Sequence, residues 1–372
     1  MARALTVVQL LPALESGGVE RSTLEIAEAL VHAGHRAIVV SRGGRLLPQL
    51  QSIGAQHIAL DIGHKSPLAL RHVLALRRVY EREAVDVVHA RSRLPAWLGV
   101  WALWAIPHAR RPRLVTTVHG LNSPSRYSAV MTYGERVICV SHTVRDYVLR
   151  HYPATDPAKL RVIARGIDSA AFAPAEDARQ ARRVLAQNHP SLGGDGPLLL
   201  LPGRGTRLKG HADGLRLLAG LRAEGSDARL WLPGAVEAGR EGYIAELQAL
   251  AAHLGIAEAV AFTAPTAAIA QAYAACDLVL QLSRKPEAFG RTVVEALAVG
   301  RPVVGWAHGG VGELLRELQP AGAVAPFDAQ ALLLVTQRML QGPSPPSPPL
   351  HAYSLRAMQQ ATLAVYDELC GR

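Results

Sequence analysis

The sequence predicts an α/β protein of two domains, each a mostly parallel β-sheet covered by helices on both faces. Three observations carry this expectation. The chain has 372 residues, more than one ordinary α/β unit and comfortable for two of about 100–200 residues each. Strand-length apolar runs are separated by stretches of helical periodicity, and the rhythm occurs twice. The runs are almost wholly apolar, as strands buried on both faces require.

In the first half, strands are expected at 5–11, 37–41, 57–60, 85–89, 114–118 and 137–140, with helices at 20–32 and 67–83. Ser141 reads as the N-cap of a helix running to about residue 151. A helical stretch at 178–187 leads into the loop-like NHPSLGGDGP, where a domain boundary is expected. The rhythm then restarts, with strands at 198–201, 228–232, 260–262, 278–282 and 302–304. Helices at 212–222, 242–253, 269–275 and 292–299 fill the gaps. The proline-rich 342–349 reads as a rigid extended spacer before a last helix at 355–369. The expected division is 1–180, 181–349 and a terminal helical segment, 350–372, with a ligand cleft between the two domains.

Hydrophobic residues make up 49% and charged residues 19%, a folded globular composition. The net charge is +10, favouring an anionic partner such as a phosphorylated substrate, anionic lipid or nucleic acid. The surplus is nearly all arginine, since the only lysines are Lys65, Lys159, Lys209 and Lys285. Aromatic residues are only 5%, with no basic–aromatic interleaving, which argues against a nucleic-acid stacking surface. Cys139, Cys276 and Cys370 are widely spaced and form neither a disulfide framework nor a zinc signature. The N-terminal residues read as a first strand entering a glycine turn, not as a signal peptide. The apolar stretch 96–106 falls short of the about 20 residues that a spanning helix needs. A cytoplasmic location is the expectation.

Candidate site residues gather at the expected carboxyl ends of strands. Gly17 and Gly18 follow the first strand and allow close backbone approach to a phosphate or sugar, or simply a tight turn. The pattern is not G-x-G-x-x-G, which disfavours a nicotinamide or flavin site. The strand at 198–201 ends in PGRGTRLKG, where Arg204 and Lys209 suit a pyrophosphate. Gly210 after Lys209 excludes a Walker A loop. In PEAFGRTVVEALAVG a helix opens near Gly290, offering the amides from Phe289 through Gly290 and Arg291 to Thr292 to an anion. Glu287 and Glu295 flank that helix start, and carboxylates there suit sugar or ribose hydroxyls better than phosphate. The loop at 308–313 repeats the theme of glycines after a strand. His119 stands at another strand end and is credible as a hydrogen-bonding catalytic group. No metal-ligand motif is apparent.

EAFGRTVVE matches the E-x7-E pattern of retaining, nucleotide-sugar-dependent glycosyltransferases of family 4, and the chain resembles that family from Gly17-Gly18 to the terminal helix. His119-Gly120, VICVSHTVRDYV, RVIARGIDSAAF and YAACDLVLQLS contribute to the match. The resemblance implies a GT-B fold: two Rossmann-like domains facing across a cleft, the first on the acceptor side, the second on the donor side, and the terminal helix returning to the first. It implies a hexosyltransferase that uses a UDP-sugar, holds no tightly bound cofactor and needs no metal. Arg204 and Lys209 would hold the pyrophosphate, Glu295 the ribose, and Glu287 the transferred sugar. The backbone at Ala264 and Pro265 would meet the base, Gly18 the donor phosphate, and His119 the sugar near its reacting centre. Arg165 departs from the family's usual asparagine before G-[IV]-D. With Arg91 and Arg93 it is a candidate acceptor or anion contact.

The expected acceptor is a cell-envelope glycolipid such as lipopolysaccharide core. Peripheral attachment to an anionic membrane is expected through the tryptophans of 97–106, the Arg110-Arg111-Pro112-Arg113 cluster, and Arg71, Arg77 and Arg78. The competing readings are a UDP-sugar 2-epimerase of similar fold and a basic nucleic-acid-binding protein.

Overall fold

The computed structural model describes residues 3–15, 17–174, 178–342 and 348–371. Ser16 in the glycine turn, 175–177, and 343–347 in the expected spacer lie outside the described residues. The chain divides into two compact units: Met1–Gly166 with Leu355–Arg372, and Ile167–Ser354.

The first unit is built on seven parallel strands: β1 (Thr6–Leu10), β2 (Arg36–Ser41), β3 (Gln56–Ala59), β4 (Val87–Ala90), β5 (Arg113–Val118), β6 (Arg136–Cys139) and β7 (Leu160–Val162). Their order is β3-β2-β1-β4-β5-β6-β7. Strand order therefore reverses between β1 and β4, the place where such sheets open a crevice at the carboxyl edge. Central strands are buried along their whole length, which is why their sequences are continuous apolar runs. Helix Gly18–His32 turns Leu24, Ile26, Ala27 and Leu30 into the core, while helix Leu355–Leu369 adds Met358, Val365 and Tyr366. The terminal helix is thus part of this unit. Ser141 caps helix His142–His151 by accepting from the amide of Val144.

The second unit has six parallel strands: β8 (Leu198–Leu200), β9 (Arg229–Pro233), β10 (Val260–Thr263), β11 (Leu278–Gln281), β12 (Val303–Trp306) and β13 (Ala323–Val324). The order β10-β9-β8-β11-β12-β13 reverses between β8 and β11. Leu199, Leu230, Leu280 and Val304 form the sheet's share of the core, with Leu215, Leu218 and Leu247 from the covering helices.

Some elements differ from expectation. The short edge strands β7 and β13 carry too few residues for a readable pattern, and helices Leu47–Ser52 and Ala329–Gln341 were not expected. The expected glycine loop at 308–313 is instead the start of helix Gly309–Leu318. Glycine is a poor helix former, but a side chain at Gly310 would stand 2.4 Å from the carbonyl oxygen of Phe289. Close packing of the helix start on the preceding loop selects glycine there.

Candidate active site

In the second unit, the loops leaving β8 and β11 meet at the reversal of strand order. The first carries Arg204 and Lys209; the second carries Glu287 and ends in helix Arg291–Ala298. Three contacts hold them together. Lys209 Nζ donates to Glu287 Oε1 at 2.7 Å, the amide of Arg284 donates to the carbonyl of Leu208 at 2.8 Å, and Arg284 pairs with Asp213 at 2.7 Å. Gly210 has φ +74°, and a Cβ there would lie 2.1 Å from the carbonyl oxygen of Leu282. The residue that breaks the Walker pattern is therefore the one that lets the loops close. Ser283 donates to Glu287 and sits beside Gln281. Arg204 is exposed, with no side-chain hydrogen bond or ion pair among the described residues.

Helix Arg291–Ala298 starts at Gly290, whose φ is +105°. Phe289 is buried, and the first reverse bond runs from the amide of Val293 to the carbonyl of Gly290. The amides of Arg291 and Thr292 lie ahead of that bond, at the positive end of the helix. Glu295 is only 7% exposed. Its Oε1 accepts from Arg291 Nε at 2.8 Å and its Oε2 from the Tyr273 hydroxyl at 3.0 Å. Burial, followed by the Glu295 charge, drives the Tyr273 hydroxyl well above its ordinary pKa, so it stays a donor. Ala264 and Pro265 are exposed in the loop after β10, next to the loop after β9, where Gly234 and Val236 donate to the carbonyl of Thr263.

His211 follows the phosphate-type loop and is fully buried. Burial, then the Lys209 charge, pushes its pKa down to about 4. Sequence reasoning passed over His211, Tyr273, Arg284 and Asp213. An aromatic in an alanine-rich helix and an isolated Arg–Asp pair leave no local signal, because their partners are distant in sequence.

In the first unit, His119 lines a pocket of about 270 Å³ with Arg91, Arg93, Thr117, Asn122 and Tyr147. Gly17 precedes helix Gly18–His32, and the Gly18 carbonyl accepts from Arg165 at 3.1 Å. A second guanidinium nitrogen of Arg165 reaches His119 Nδ1 at 2.6 Å. Arg91 is 4% exposed and donates to Gln9 and Ser22 at 2.7 and 2.8 Å. Burial lowers its pKa to about 10. Arg93 is part-exposed, donates to Ser128 at 3.3 Å and lies over the Tyr127 ring.

His89 is fully buried between the Tyr366 hydroxyl and Thr117, each at 2.6 Å. Burial and the Arg91 charge hold its pKa well below the imidazole range. The same causes act on His119, with Arg165 ahead of Arg91 and His89.

The described residues contain no group of three His, Cys, Asp or Glu able to hold a metal ion, and no described helix is long and apolar enough to cross a membrane.

Comparison with known proteins places these features. Models of two families match: Glycosyltransferase Family 4 over residues 16–171 and Glycosyl transferases group 1 over residues 186–350. A D-inositol 3-phosphate glycosyltransferase of Salinispora tropica is 31% identical over 342 residues, which are 82% of this chain and 69% of the relative. The chain belongs to glycosyltransferase family 4.

Among solved structures, a glycosyltransferase from Rickettsia africae ESF-5 superposes with a TM-score of 0.87 at 26% identity over 99% of each chain. The Anabaena HepE protein, solved with UDP and glucose, shares the fold at a TM-score of 0.80 and 20% identity, over 98% of this chain and 100% of that one. The two Rossmann-like units are those of the GT-B class. Four further curated relatives with the D-inositol 3-phosphate glycosyltransferase name are matched over only 54% to 61% of their own length.

Proposed function

We propose that this family-4 member is a retaining hexosyltransferase that moves a sugar from a UDP-sugar to a hydroxyl of a phosphorylated acceptor. The observation that carries the reading is the meeting of the β8 and β11 loops, which sets Lys209 against Glu287 beside the start of helix Arg291–Ala298. Cations and helix amides suit a diphosphate, and a carboxylate next to them suits the hydroxyls of the attached sugar. Arg204 and Lys209 stabilise the charge that develops on the leaving diphosphate, Glu287 orients the sugar, and Glu295 receives the ribose. Ala264 and Pro265 meet the base, and uracil is favoured because a fold neighbour was solved with UDP. Gly18 and His119 supply donor contacts from the first unit.

For the acceptor, the basic pocket at Arg93 favours an anion. A lipopolysaccharide-core glycolipid and an inositol phosphate, the latter in the names of curated relatives, both present phosphate beside hydroxyls. The glycolipid is favoured by an exposed apolar and basic face on the first unit. Leu70 and Leu74 are each 57% exposed and Trp104 58%, among exposed Arg71, Arg78 and Arg110. Such a face suits peripheral attachment on the inner side of the cytoplasmic membrane.

The test is a screen of nucleotide sugars with purified protein, following nucleotide diphosphate release with phosphorylated and dephosphorylated acceptors after EDTA treatment. Release from a UDP-sugar, faster with phosphorylated acceptor, and NMR showing the donor's anomeric configuration in the product are expected. An inverted product, or turnover only after divalent metal is restored, refutes the assigned mechanism.

A further inference from the structure

Arg165 stands before Gly166-Ile167-Asp168, and its contacts decide the chemistry of His119. Two guanidinium nitrogens are engaged: one with the carbonyl of Gly18 at 3.1 Å, the other with Nδ1 of His119 at 2.6 Å. An arginine side chain has donors and no acceptor. A ring nitrogen at 2.6 Å from it must therefore offer its lone pair, and the imidazole proton must reside on Nε2. That nitrogen is buried and has no hydrogen-bond partner among the described residues, although His119 lines a pocket of about 270 Å³.

We propose that Arg165 is a positioning residue that fixes His119 as the neutral Nε2–H tautomer, a permanent hydrogen-bond donor to an oxygen of the sugar substrate. The inference rests on the glycosyltransferase reading only for the identity of that oxygen. In this state His119 neither accepts a proton at Nε2 nor passes one through Nδ1, so it orients and polarises without acid–base exchange. The groups facing the ring act in one direction. Burial is the largest cause, the cationic Arg165 and Arg91 add to it, and His89 is buried between Tyr366 and Thr117. By bridging Gly18 and His119, the same guanidinium ties the turn after β1 to the end of β5.

The test uses the full chain labelled with [15N]histidine, with His119→Gln identifying the signal of this ring by its loss. Two-bond 15N–1H spectra of the wild type should show one Nε2–H species that does not titrate between about pH 5 and 8, where an ordinary imidazole does. Arg165→Met should mix the tautomers and bring a titration into that window. Its kcat on UDP-glucose should fall about tenfold while KM changes little. Arg165→Lys, which keeps a donor and the charge, should restore the single tautomer. A wild-type ring protonated on Nδ1 overturns the proposal even if no variant folds, and so does an Arg165→Met spectrum identical to wild type. Because the spectra need no substrate, a locked ring in a protein inert towards every nucleotide sugar would defeat the functional reading alone.

Discussion

The two sheets reverse their strand order in the same way, yet they treat the resulting crevice in opposite ways. In the first unit the carboxyl edge is filled from within. Arg91 is held by Gln9 and Ser22, His89 by Tyr366 and Thr117, and His119 Nδ1 by Arg165, while burial keeps both histidines neutral. In the second unit the equivalent edge carries a part-exposed Lys209–Glu287 pair, an exposed Arg204 and a helix start. One topology thus yields a preorganised hydrogen-bonding wall in one unit and a charged, accessible cluster in the other. Fold alone does not assign chemistry; the side chains at the strand ends do.

The largest effect should come from the open edge. Lys209→Ala and Arg204→Ala should each lower kcat about a hundredfold, or roughly 3 kcal/mol of transition-state stabilisation. Both should leave the thermal midpoint near that of the wild type, since neither side chain belongs to a core. Turnover within twofold of the wild type for both would remove the contrast between the units.

Acid should separate the two units in stability. A histidine kept neutral by burial has a folded pKa below its unfolded value, so its contribution is complete above about pH 6.5 and is lost as pH falls, because the unfolded chain binds protons first. For His211, lowered to about 4, that corresponds to a loss on the order of 3 kcal/mol between about pH 6.5 and 4. Among the described residues the first unit has three histidines lowered chiefly by burial, His57, His89 and His119. Hydrogen exchange followed from pH 7 downward should therefore show the first unit opening earlier. Equal protection loss in both units would contradict the assignment of neutral histidines.

A smaller change probes the wall directly. Tyr366→Phe removes the partner of His89 Nδ1 and should cost about 1–3 kcal/mol, seen as a lower denaturation midpoint without a specific loss of donor binding. Smallest per residue is the surface effect. Changing Arg110, Arg111 and Arg113 to serine should weaken sedimentation with anionic liposomes by about 1 kcal/mol per charge near the surface. Arg113 also pairs with Glu135, and Arg111 donates to the carbonyl of Ile106, so Arg110 should dominate. Equal sedimentation with neutral vesicles would exclude electrostatic attachment.

Much of the fold was legible because its central strands are uninterrupted apolar runs between charged or glycine punctuation. The observed β1, β4, β5, β8 and β11 lie within two residues of the expected limits at each end. What escaped was short or was decided by tertiary packing: β13 has two residues, and Gly309–Leu318 begins with the glycines that looked like a loop. Glycine-rich turns at strand ends and a helix start brought Arg204, Lys209, Glu287 and Glu295 into view, and the structure places Lys209 and Glu287 in contact. The partners that orient them were not legible. Tyr273 and Glu295 are 22 residues apart, and Tyr366 and His89 are 277 apart. Nothing in local composition links residues so separated.

The terminal helix imposes an order on the chain's birth. Residues up to Gly166 are made before Ile167–Ser354, but the wall they form lacks Tyr366 and Met358 until the helix Leu355–Leu369 has followed. The whole of Ile167–Ser354 emerges in between. At about 5–20 residues per second, the intervening ~200 residues correspond to about 10–40 s. Through that interval His89 lacks its Tyr366 partner and Gly18–His32 lacks the cover of the terminal helix, whereas Ile167–Ser354 has all its residues before that helix is made. The unit begun first is therefore the one finished last, and until then the nascent chain is exposed to chaperones and proteases along the edge that Tyr366 later closes.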